Sequence, residues 1–238
     1  MKIKTTLLLL LAVCCTMYVR ADENESNHVE VLLNDSTRVE GYWHTDFKTG
    51  VKRVFSKTGS INQYITIKDS AKDGESRTYK APEVIEYRFL EPSEEFPEGT
   101  IFVSEEINTP GMFKPNRCVR GFALLLYRSE GGSIMKWQVF ESTGGRNSVS
   151  RLVPAVGVKF KGARAAYMFM MNGRHYPFYM NNYLKKAAPE FKKYLDEYFD
   201  KSPDKKAHQQ ELKDNPAILI SLYEDYLKTH DQINDPAE

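Results

Sequence analysis

The chain has 238 residues, with 33 Lys and Arg against 32 Asp and Glu, a formal net charge of +1, and 41% hydrophobic and 12% aromatic residues. This is the composition of an ordinary globular protein and excludes a polytopic membrane protein, a collagen-like fibre and a largely disordered chain. The balanced charge gives no electrostatic case for nucleic acid, which favours a strongly basic domain, and three cysteines are too few for a disulfide-dense scaffold.

The first predicted element is a secretory signal. Lys2 and Lys4 form a basic start, residues 7–13 are an unbroken apolar run, and residues 14–19 extend it weakly before Arg20. That span is short of the roughly 20 apolar residues a membrane-crossing helix needs. It fits a signal peptide over residues 1–21. Val19 and Ala21 are small enough for the recognition positions ahead of the cut, which places cleavage after Ala21. A lipoprotein signal is the minority alternative: a small residue should precede the lipidated cysteine, but Val13 precedes Cys14 and Cys14 precedes Cys15. Cleavage takes away Lys2, Lys4 and Arg20 and no acid, leaving 217 residues, a charge of −2 and Cys118 as the remaining cysteine. The mature chain is expected to hold no transmembrane helix and no intramolecular disulfide, and to depend on packed cores.

Residues 22–27 read as a polar lead. Val29-Glu30-Val31-Leu32-Leu33 then alternates as a half-buried strand does, and Asn34-Asp35-Ser36 is a turn. Residues 38–44 resume as a strand, with Gly41 marking a bulge or bend. Further short strands are expected at 52–56, 63–68, 77–80 and 84–90, with Lys72-Asp73-Gly74 as a turn. Strands this dense make residues 22–91 a small N-terminal barrel-like module.

Residues 92–99 hold Pro92, Pro97 and Gly99 among acids and read as a linker. Residues 100–183 form a second antiparallel region, with strands expected at 100–106, 118–128, 134–142, 149–153, 156–160 and 165–171. Gly131-Gly132 and Asn172-Gly173 stand at hairpin positions. Residues 184–230 change period. Phe191, Tyr194, Leu195, Tyr198 and Phe199 recur at helical spacing. Ser202-Pro203 and Asn215-Pro216 are helix-start signals, and the second opens the most amphipathic helix of the chain. Residues 231–238 read as a disordered tail. The fold class is α+β, mainly antiparallel β, with a C-terminal helical cap.

Chemistry-bearing motifs are sparse. The five histidines are scattered, and no two lie three or four residues apart, as zinc ligands often do. No metal site or cofactor is expected. Cys118 opens an apolar strand, where a lone cysteine is usually a small core residue. There is no Gly-x-Ser-x-Gly elbow. Glu94-Glu95 and Glu105-Glu106 are adjacent pairs, which point to opposite faces of a strand and cannot flank one glycosidic bond. Gly131-Gly132 and Gly144-Gly145 precede no helix, so they are hairpin turns rather than phosphate loops.

Residues 165–183 stand out. Tyr167, Phe169, Tyr176, Phe178, Tyr179 and Tyr183 crowd together with four methionines. Alternation turns some inward to meet the C-terminal helices and others outward. Arg174, His175, Tyr176 and Tyr179 are the candidate ligand-binding residues, because ring faces stack on a sugar or peptide while polar groups orient it.

Val31-Leu32-Leu33-Asn34-Asp35-Ser36-Thr37-Arg38-Val39-Glu40-Gly41-Tyr42, then Tyr79-Lys80-Ala81-Pro82-Glu83-Val84-Ile85-Glu86-Tyr87, then Phe191-Lys192-Lys193-Tyr194-Leu195 with Ser202-Pro203 and the helix after it resemble exported Bacteroidetes envelope proteins of unknown function. A cysteine often stands in that group where this chain has Ser202. Asp35-Ser36-Thr37 and Asp69-Ser70-Ala71 resemble the acceptor motif for O-glycosylation in such bacteria. The resemblance implies export and architecture, and supplies no active-site residues. The expected function is an exported, non-enzymatic binding or scaffold protein of a Gram-negative envelope, in the periplasm or at the outer membrane, with an envelope protein or glycan as partner and no nucleic acid. The alternative is a hydrolase of glycan or peptide with its site near His175.

Overall fold

Alternation of apolar and polar side chains sets the strands, and one sheet collects them. A computed structural model defines the protein over residues 27–44, 61–71, 74–92, 96–109, 117–142, 150–230 and 233. The signal segment with Ala21 and the strand expected at 52–56 lie outside the described residues.

The first strands are β1 (His28–Leu33), β2 (Arg38–Trp43), β3 (Tyr64–Lys68), β4 (Ser76–Lys80) and β5 (Val84–Phe89). They continue as β6 (Ile101–Thr109), β7 (Arg117–Ser129), β8 (Gly132–Ser142), β9 (Ser150–Phe160), β10 (Tyr167–Met171) and β11 (Arg174–His175). The helices are α1 (Phe178–Ala187), α2 (Pro189–Asp196), α3 (Lys205–Asp214) and α4 (Ile218–Leu227), with a π-turn at Glu197–Lys201 after α2. The architecture is therefore mainly antiparallel sheet with helices at the C-terminal end.

The sheet order is β11-β10-β9-β8-β7-β6-β5-β1-β2-β3-β4, every ladder pair is antiparallel, and the sheet is not closed. It curls instead. Isolated bridges at Asn62↔Phe122 and Ile107↔Ala166 fold it back on itself at two points, through Phe122 N–H to Asn62 O (2.8 Å) and Asn108 N–H to Ala166 O (2.9 Å). Residues 92–99 connect β5 to β6, and those strands pair across them with Tyr87 opposite Phe102. One sheet thus serves both β regions.

Side chains on the two faces of β6 and β7 feed two cores. Val103, Ile107 and Ala123 pack with Met135, Trp137 and Val139. Phe122, with Phe102 beside it, packs with Val29, Val31, Tyr87 and Phe89. Successive side chains of a strand point to opposite faces, so these two strands are buried on both. The third core lies between the sheet and the helices, where Phe160, Tyr167 and Phe169 meet Leu184, Phe191 and Tyr223. Each fully buried large apolar side chain of this kind stabilises by roughly 1.5–3 kcal/mol relative to exposure.

Three local features differ from the sequence reading. The strands expected at 149–153 and 156–160 are one strand, β9, which passes through Pro154 opposite Gln138. Proline lacks a donor, but its carbonyl accepts from Asn172 N–H at 2.8 Å. Residues 165–183 do not alternate throughout, because α1 begins at Phe178 and follows Pro177. Ser202 caps a turn rather than a helix start: its Oγ accepts from Asp204 N–H at 3.1 Å, and α3 begins at Lys205.

Candidate functional site

Arg174 and His175 constitute β11, opposite Met171 and Met170. Arg174 is exposed and His175 half-buried. Tyr176 is fixed through its backbone, with N–H donating to Phe169 O at 2.6 Å. Tyr179 stands half-buried on α1, while Met180, Tyr183 and Leu184 of that helix are buried. The chain therefore gathers the four predicted residues at the corner between β11 and α1. Most other rings of this stretch go to packing, as the stacking of Tyr167 on Tyr183 at 4.0 Å shows.

The His175 ring lies 6.2 Å from Phe199. Burial disfavours its charged form and lowers its pKa below the usual 6.5; Asp200 opposes that shift, and Lys213 and Lys205 reinforce it. Burial raises the Tyr179 phenol, and Tyr176 adds to it. Among the described residues no carboxylate forms an ion pair with His175, and no group of three His, Cys, Asp or Glu is placed to hold a metal ion. Cys118 sits half-buried beside the helix-covered core.

The Asp-Ser motifs fall on turns. Ser36 is exposed at φ 69°, and Thr37 N–H donates to Asp35 Oδ1 at 2.9 Å, which holds the Asp35 carboxyl below its usual value. Asp69 is engaged instead by Arg77.

A second site was not visible in the sequence. Strand register sets Tyr87, Phe102, Leu124 and Lys136 side by side across β5, β6, β7 and β8. Tyr87 is 4% exposed, Phe102 and Leu124 are half-buried, and Lys136 is exposed. Along this row the core of the N-terminal strands gives out to solvent. At that line opens a cavity of about 370 Å³. Trp43, Tyr87, Phe89, Phe96, Phe102 and Phe122 line it.

These rings form one connected set. Tyr87 stacks on Phe102 at 4.9 Å and meets Phe122 edge-on at 5.1 Å. Phe96 lies 4.5 Å from Phe89, 5.4 Å from Phe102 and 6.1 Å from Trp43. Edge-to-face and offset contacts are the favoured aromatic geometries, so the rings hold one another in place. Asn62, Thr100, Lys136 and Gln138 supply the polar part of the lining. Comparison of the chain with known protein families, curated proteins and solved structures finds no match.

Proposed function

We propose that this is an exported, non-enzymatic binding protein of a Gram-negative envelope, in the periplasm or at the outer membrane, and that the ring-lined cavity is where it binds. The observation that carries the binding reading is the cavity itself: about 370 Å³ in volume and walled by six connected aromatic rings. Small-molecule sites occupy roughly 300–1,000 Å³ and are mostly apolar with a few placed polar groups. The export reading rests on the basic and apolar start of the sequence and on the resemblance to envelope proteins. A hydrolase at His175 would want a carboxylate in hydrogen-bond reach. Asp200 acts on that ring electrostatically without pairing with it.

Native mass spectrometry of the tagged full chain, isolated from envelope fractions, tests both parts. The expected species begins at Asp22 and carries a non-covalent companion that Phe96→Ala reduces. A chain that keeps residues 1–21 would overturn export. An acylated cysteine would replace release by tethering. A bare chain that takes up nothing from an envelope extract would overturn binding.

A further inference from the structure

We infer that the cavity takes a small ligand with an apolar body and one anionic head, the body among the rings and the head beside Lys136. This rests on the binding reading above and names the ligand class for the same site.

The floor decides the body. Phe89 is 1% exposed, and Tyr87 and Phe122 are each 4% exposed. These rings use their edges and faces on one another, so they make the wall of a hollow rather than an open platform. A sugar needs a hydrogen-bond partner for each hydroxyl it brings out of water, and the rings of Phe89, Phe102 and Phe122 offer none. Two of the polar groups are already engaged: Thr100 Oγ1 donates to Pro97 O at 2.7 Å, and Asn62 Oδ1 accepts from Tyr64 N–H at 3.4 Å. An apolar ligand body satisfies such a surface.

The lining decides the head. Lys136 is its one charged side chain, and no carboxylate lines the cavity among the described residues. Lys136 is exposed and forms no ion pair among the described residues. Register places it next to Leu124, so its stem continues the apolar row while its ammonium stays in water. A ligand with its apolar end among the rings brings its other end to that ammonium. An anion there gains attraction and needs no burial of charge.

Two dyes with one body test this. N-phenyl-1-naphthylamine is neutral, and 1-anilinonaphthalene-8-sulfonate adds a sulfonate. Fluorescence titration of the full mature chain is expected to show one saturable site for each dye. The sulfonate dye should bind about two- to fivefold more tightly, the scale of one exposed charge pair. Lys136→Gln should bring that ratio close to one, with the larger loss on the sulfonate dye, and Phe96→Ala should weaken both. Displacement by dodecanoate or by dodecyl phosphate then distinguishes a carboxylate source from a phosphate source. Displacement by neither overturns the inference. Equal binding of both dyes, unmoved by Lys136→Gln, overturns the anionic head while the binding reading stands. No saturable site for either dye on a chain with native circular dichroism overturns the binding reading itself.

Discussion

At Gly157 the indole of Trp137 occupies the space where a side chain would begin. A Cβ there would lie 2.0 Å from Cη2 and 2.6 Å from Cζ3 of that ring. Gly121 plays the same part for the segment crossing β7, since a Cβ there would meet Ile61 Cγ2 at 2.1 Å. The inner cores are thus set by two absent side chains as much as by the rings present. His175 gives the residue scale a pH dependence. Its buried ring has a lowered pKa, so between that value and about 6.5 the unfolded chain binds more protons than the folded one. Stability therefore rises with pH across that window and falls on acidification. The unfolding temperature is expected to drop as pH goes from about 7.5 to about 5.5, and His175→Gln should flatten the drop. A variant profile that superimposes on the parent would remove His175 as the cause.

Among the elements, α4 shows how the cap is held. Tyr223 is fully buried; its hydroxyl donates to Lys161 O at 3.1 Å and accepts from Ile233 N–H at 2.9 Å. Glu224 accepts from Gly131 N–H at 3.0 Å and from the Ser129 hydroxyl. Tyr223→Phe keeps the ring and strands two backbone groups. It is expected to cost about 1–3 kcal/mol, seen as a lower urea midpoint with an unchanged slope; an unmoved midpoint would mean that water replaces both bonds. This helix was legible because its apolar residues recur at helical spacing after Asn215-Pro216. Strand β1 was legible from the alternation of Val29 and Val31. Helix α1 was not, because its rings are residues that favour strands and packing against β10 decides their state. The unity of β9 was hidden by Pro154, which reads as a break.

For the molecule as a whole, the sheet is the unit of cooperativity. β6 and β7 place Val103 and Ala123 in one core and Phe122 in another. Loss of either strand opens both. Tryptophan emission, with Trp43 beside one core and Trp137 inside the other, is expected to change in a single urea transition that coincides with the circular dichroism of the helices. Two separated steps would show that the cores melt independently. The predicted corner at His175 could be found in the sequence because its residues are neighbours. The ring-lined cavity could not, since Trp43 and Phe122 lie on strands four places apart in the sheet and meet through its curl, which a linear pattern does not carry.

Strands with two buried faces also impose an order on synthesis. As the chain is made from its N-terminus, β1 to β5 emerge first, with Val31 and Tyr87 ready to pack. Their core closes only when Phe122 arrives, and its bridge to Asn62 is the tie that curls them. Until then about a hundred residues wait without a finished interior, and waiting chains with exposed apolar strands are prone to aggregate. A nascent chain built this way gains from a holding partner, or from a passage that keeps it extended, until β7 is complete.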